Sequence, residues 1–173
     1  MAKGLVLGIL IGILLLVGSA YLYFSWGFAP VATSAAPMPF ERKLAKAAQH
    51  AYLDKLPHPQ PLVPADEANL IAGAKVYKEH CAVCHGLPDQ PKSAVSQGMF
   101  PKPPELFHGT GVTDDEPWET YWKVENGIRL TGMPSFRESL SSTQMWQVSV
   151  MLANADKLSA PVNAVLSQPL PRE

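Results

Sequence analysis

The chain has 173 residues and a mass of 18.8 kDa, room for about one ordinary domain. Fourteen Lys and Arg stand against 15 Asp and Glu, for a net charge of -1; the basic residues form no dense run, which excludes a surface built for nucleic acid. Two cysteines, Cys81 and Cys84, are too few and too close for a secreted disulfide framework. The 47% hydrophobic content is unevenly placed, since Gly4 to Phe40 contains no Asp, Glu, Lys or Arg.

Gly4 to Phe24 is an uncharged run of 21 residues. As a helix it is about 31 Å long, enough to cross a hydrocarbon core of about 30 Å. Lys3 stands before it, and Tyr21, Tyr23, Phe24, Trp26 and Phe28 crowd its far end, where amphipathic rings favour the headgroup level. A cleavable signal peptide, with Thr33 to Ala36 as its cleavage region, is the competing reading. Signal h-regions run to about 15 residues, so a retained anchor over residues 1–27 is expected. Gly4, Gly8 and Gly12 recur every four residues on one helix face and offer a close-approach groove to a transmembrane partner. Lys3 before the span and Arg42, Lys43 and Lys46 after it leave the orientation undecided by charge.

Residues 28–65 read as a linker. Phe40, Leu44, Ala47, Ala48 and Ala51 recur at helical spacing, predicting a short amphipathic helix between Phe40 and Leu56. Pro57, Pro59, Pro61 and Pro64 then predict a stiff polyproline spacer. His50 and His58 read as surface histidines.

The globular segment is expected over residues 66–157, with three helices. One runs from Asp66 to about Cys81, with Leu70, Ala74, Tyr77 and Cys81 on one stripe. A second opens on a Thr113 and Glu116 capping box, carries Trp118, Tyr121 and Trp122, and stops at Asn126 and Gly127. A third opens on Ser141 and Gln144 and carries Met145, Val148, Leu152 and Ala155 to about Lys157. Gly86 to Gly111 is a Pro- and Gly-rich loop. Residues 158–173, with Pro161, Pro169 and Pro171, read as a tail. The predicted class is all-α, and so small a segment with such long loops needs something apolar at its centre.

Cys81-Ala-Val-Cys84-His85 has the c-type haem attachment spacing: two thiols one turn apart can add to two vinyl groups, and the adjoining imidazole faces the iron. A thioredoxin-like dithiol would need a βαβ context, and a zinc site two further Cys or His ligands; His80 adjoins Cys81 and points elsewhere. For the sixth iron position, Met133 sits between Gly132, which permits close backbone approach, and Pro134, which stiffens the loop. Met145 and Met151 read as packing on the third helix. Met99, 14 residues past His85, is poorly placed for the opposite haem face, and His108 is the main rival.

Together Gly73-Ala-Lys-Val-Tyr77 leading into the Cys81–His85 run, the loop Asn126-Gly-Ile-Arg-Leu-Thr-Gly-Met-Pro-Ser-Phe136, and the aromatic-bearing helix from Ser141 resemble the class I c-type cytochromes over about Ala65 to Leu158. The resemblance implies helices packed around one covalent haem c, with Gly73 and Tyr77 near Trp146; the uncharged run places this domain behind a single N-terminal transmembrane helix. It implies thioethers at Cys81 and Cys84, His85 as proximal and Met133 as distal ligand, and a proline carbonyl, of Pro103 or Pro104, bonded to the proximal imidazole. Arg129 is a candidate for a haem propionate. Since bacterial relatives attach haem outside the cytoplasmic membrane, the domain is expected on the periplasmic side.

With both axial positions filled, binding or turnover at iron is disfavoured and single-electron transfer remains, at a potential raised by the thioether. The expected function is therefore a membrane-anchored carrier between a redox donor and acceptor, without enzymatic activity of its own. The alternative is a fixed subunit of a respiratory or dehydrogenase complex, of oxidase or alternative complex III type; a haem sensor or peroxidase would need Met133 to leave the iron. Residues 1–65 carry net +3 and residues 66–157 net -4. Asp114, Asp115, Glu116, Glu119 and Glu125 make the second helix acidic, a face that would steer a basic partner.

Overall fold

The computed structural model describes residues 2–108 and 113–169. Met1, the end of the Pro- and Gly-rich loop at 109–112, and residues 170–173, with Pro171 of the expected tail, lie outside the described residues. Regular structure among the described residues is entirely helical, and the chain divides into two compact units, residues 1–50 and 51–173.

In the first unit, α1 (Ala2–Ser25) is one continuous helix of 24 residues with no buried side chain. The Ser19 hydroxyl donates to the Leu16 carbonyl at 3.0 Å, so this polar group is satisfied within the helix, as an apolar surround demands. By length and composition α1 can cross a membrane. Tyr23 meets Phe24 edge-on at 5.4 Å and stacks on Phe28 at 6.4 Å, building the aromatic end expected from the sequence. α2 (Glu41–Leu53) starts where the Glu41 carboxylate accepts the Met38 amide at 2.8 Å.

The second unit is built on α3 (Glu67–His80), α4 (Ala82–His85), α5 (Ala94–Gly98), α6 (Pro117–Asn126), α7 (Ser142–Leu152) and α8 (Ala160–Leu166). Asp66 caps α3 by accepting the Asn69 amide at 2.9 Å. Ser141 and Gln144 form the reciprocal capping box that starts α7. These two helices cross where Gly73 has no side chain: a Cβ there would stand 2.7 Å from the Gln147 carbonyl carbon and 2.9 Å from Met151 Cβ. Around the crossing, Ala74, Tyr77, Val148 and Met151 are completely buried. Gly73 therefore meets Gln147 and Met151, and Trp146, the residue before Gln147, stacks on Tyr121 of α6 at 4.3 Å.

Three expectations are corrected. The Thr113 and Glu116 capping box does not form: α6 starts later, at Pro117, with Glu116 as an N-cap that makes no side-chain bond to the backbone, and proline suits this first turn because the amide it lacks has no helical partner there. The segment read as a tail contains α8, which tolerates Pro161 in its first turn for the same reason and buries Val162 and Leu166 completely against the core. Leu166→Ala is accordingly expected to lower domain stability by about 2 to 4 kcal/mol, measured by thermal or urea unfolding; a loss below about 0.5 kcal/mol would return α8 to the status of a tail.

The third correction concerns the linker. Leu53 is buried with Trp118 and Trp146, and Leu56 and Val63 pack on the same cluster. Tyr52 lies 5.6 Å from Trp122, and the exposed His58 ring stacks on Trp118 at 4.1 Å and 11°. Prolines keep residues 57–64 out of a helix, but the apolar side chains between them give the segment a reason to lie down. Residues 51–63 are thus a strap on α6 and α7 rather than a free spacer.

Candidate functional site

The site is assembled at the end of α3. Cys81 adopts φ -114° and ψ -35°, bending the chain into α4, and its carbonyl accepts the Cys84 amide at 3.1 Å and the His85 amide at 2.9 Å. The two thiols are therefore one helical turn apart; both are free and half-buried. Burial, and then the neighbouring Cys84, push the Cys81 thiol up to about 12. It is a protonated thiol at neutral pH, the opposite of the lowered value that makes a redox dithiol reactive. Among the described residues no group of three or more His, Cys, Asp or Glu side chains is arranged to hold a metal ion.

His85 Nδ1 lies 2.9 Å from the Pro104 carbonyl oxygen. A carbonyl can only accept, so Nδ1 carries the proton and Nε2 keeps its lone pair, the tautomer that a metal-binding imidazole needs. Burial lowers the His85 pKa, partly offset by the Pro104 bond, and the ring stays neutral. The choice between Pro103 and Pro104 is made here, by the path of the loop. The turn itself is held from α3, where the buried Tyr77 hydroxyl donates to the Gly86 carbonyl at 2.7 Å and its ring meets Phe107 edge-on at 5.0 Å.

Met133 is presented by a loop folded back on the end of α6. Gly127, at φ +67°, turns the chain, and a Cβ there would stand 2.7 Å from Pro134 C and Ser135 N. The Ile128 amide donates to the Met133 carbonyl at 3.2 Å, the Phe136 amide to the Val124 carbonyl at 3.0 Å, and the Ser135 hydroxyl to the Glu125 carbonyl at 2.6 Å. Thr131 donates its hydroxyl to Ile128 O at 2.7 Å and accepts the Met133 amide at 3.1 Å. Met133 is half-buried and packs on the same core as Cys81, Tyr77 and Phe107. The glycine that lets backbone approach backbone is Gly127; Gly132, credited with that role from the sequence, instead makes room for the Met99 methyl. Asn followed by glycine at a helix end was the available signal for Gly127.

The remaining candidates separate by position. Met145 and Met151 are buried in the core. His108 shares a cleft with His85, Glu105 and Phe107, which puts it on the His85 side of the site. His80 meets Phe136 edge-on at 6.1 Å. Arg129 is exposed. The acidic side chains at and before α6 are partly paired: Lys123 bridges Asp115 at 2.6 Å and Glu119 at 2.8 Å, Arg137 lies 3.5 Å from Glu125, and Glu116 accepts Trp118 Nε1 at 2.7 Å. Burial works against the Lys123 charge, yet hydrogen bonds and charge from Asp115 and Glu119 outweigh it and raise its pKa.

An all-helical unit with a Cys-X-X-Cys-His turn, a neutral histidine locked through Nδ1 and a methionine loop folded onto the same core defines a class: this is a c-type cytochrome domain, which carries haem c. Residues 68–150 match the family described as cytochrome c oxidase, cbb3-type, subunit III. The quinohemoprotein alcohol dehydrogenase ADH IIB of Pseudomonas putida is 26% identical over 98 residues, which are 57% of this chain and 13% of that protein. The chain thus matches only a small part of that relative's length. A chain of the reducing HAO-like protein complex of Kuenenia stuttgartiensis is 25% identical, with a TM-score of 0.48 over 61% of this chain and 54% of that one. The domain is an electron-transfer module.

The donor set fits haem c on the structure's own terms. Two free thiols one turn apart match two vinyl groups, His85 Nε2 is the available imidazole nitrogen, and a thioether is a soft sixth ligand.

Proposed function

We propose that the chain is a membrane-anchored monohaem cytochrome c that passes single electrons between a redox donor and acceptor at the periplasmic face of a bacterial cytoplasmic membrane. The observation that carries this reading is the His85 imidazole, fixed by Pro104 directly after two free thiols on one turn. Cys81 and Cys84 hold the cofactor covalently, and His85 and Met133 supply the axial ligands. Haem c supplies a one-electron couple, and with histidine and methionine both engaged there is no open position for substrate, so the chain has no catalytic reaction of its own.

Residues 1–27 are the anchor. The linker shortens to residues 28–50, the last ten of them in α2, because the strap packs with the haem domain. The Gly4, Gly8 and Gly12 face has no neighbour within 4 Å among the described residues and is the place for a transmembrane partner.

A second reading, a fixed subunit of a larger oxidoreductase, is favoured by the names of the relatives: one is an alcohol dehydrogenase in which the matching part is a small share of the chain, and the family description is that of an oxidase subunit. Gently solubilised membranes, separated by native electrophoresis and stained for haem, divide the two. A haem band near the 18.8 kDa of the chain plus detergent is expected for the carrier, and a large haem-staining complex would install the subunit reading. Protease added to intact spheroplasts should remove the haem domain; full protection would overturn the periplasmic placement.

A further inference from the structure

Met99 joins the two loops of the site. It follows α5, whose first turn is capped by Ser93: that hydroxyl accepts the Ser96 amide at 3.0 Å and donates to the Val83 carbonyl of the cysteine turn. Lys92 and Glu105 pair at 2.7 Å across the base of the same loop. The loop is thus rooted on the His85 side, and from it the half-buried Met99 reaches Gly132, the residue before Met133. A Cβ at position 132 would overlap the Met99 methyl and stand 3.7 Å from its sulfur.

Among the described residues, the hydrogen bonds of residues 127–136 tie the Met133 loop to α6 and within itself, not to the histidine side. From these contacts we infer that Met99 is a positioning residue: it braces the Gly132–Met133 segment from the opposite loop and so controls how readily the Met133 thioether leaves the iron. The inference rests on the reading of Met133 as axial ligand. A thioether suits this role, since its unbranched, polarizable chain fills an irregular gap without demanding a hydrogen bond. Gly132 is the matching half of the device, because any side chain there evicts the methyl.

The test is imidazole titration of the ferric full-length haem protein in mild detergent, followed by the thioether-to-iron absorption band. Met99→Ala should keep the band but bind imidazole about tenfold more tightly, as a loosened loop lets the competitor in. Met99→Leu should restore near-parental binding, and Gly132→Ala should move binding in the same direction as Met99→Ala. Imidazole affinity within about twofold of the parent in Met99→Ala would overturn the brace, as would a Met99→Leu variant no better than alanine. Loss of the band in Met99→Ala would make Met99 itself the ligand and also overturn it. The underlying ligand reading fails separately, if Met133→Ala keeps the band.

Discussion

Gly73→Val is expected to prevent accumulation of the folded haem domain. The crossing of α3 and α7 brings backbone, not flexible side-chain ends, into the space a side chain would take, with Gln147 C at 2.7 Å and Met151 Cβ at 2.9 Å from the Cβ position. Accommodation requires one helix to move off the other. The core residues at the crossing, Ala74, Tyr77, Val148 and Met151, are completely buried and have no slack to follow. Overpacking of this kind costs about 1 to 3 kcal/mol when side chains can shift and more when backbones collide, against a total stability of about 5 to 15 kcal/mol for an ordinary domain. The measurement is covalently bound haem per chain together with the melting transition. Gly98→Ala is the control, since nothing lies within 4 Å of its Cβ position, and it should leave both unchanged. A Gly73→Val protein that melts within a few degrees of the parent would show that the helices can separate at no cost, and the account of the crossing would fall.

Met133→Ala is expected to spare the fold and change the redox chemistry. The loop keeps its own hydrogen bonds from Gly127 to Phe136, most of them made by the backbone and by Thr131 and Ser135 rather than by the methionine side chain. What disappears is the thioether. The oxidised protein should lose its sulfur-to-iron absorption band, and the midpoint potential should fall by on the order of 0.1 V, within the span of about 0.8 V that axial ligands control. Met145→Ala should keep the band, because that methionine is buried in the core rather than displayed on a loop. Retention of the band in Met133→Ala would remove Met133 from the iron and reopen the choice of sixth ligand.

The features legible in the sequence were those with local causes. Asp66 and the Ser141 and Gln144 box sit where α3 and α7 begin because a cap answers amides within its own first turn. The Cys81 to His85 spacing is likewise contained in one turn. The Thr113 box failed because Pro117 offered a later start, and α8 was missed because a helix of 7 residues has too little local stability to announce itself and exists by burying Val162 and Leu166. The strap escaped for a related reason: a proline-rich run excludes helix wherever it lies, but only the aromatic face of Trp118 and Trp146 makes it lie down.

The sequence by itself determined the class of the protein, through an uncharged run long enough to span a membrane, a haem-attachment spacing and helix periodicity, each of which is a relation between residues close in the chain. Only the tertiary structure decided that Pro104 rather than Pro103 holds His85, that Gly73 meets Gln147 and Met151, that Gly127 closes the Met133 loop, and that Met99 reaches Gly132. These are contacts between segments far apart in the chain. Their partners are chosen by which side chains and backbones the packed helices bring within a few ångströms, a quantity no local pattern encodes.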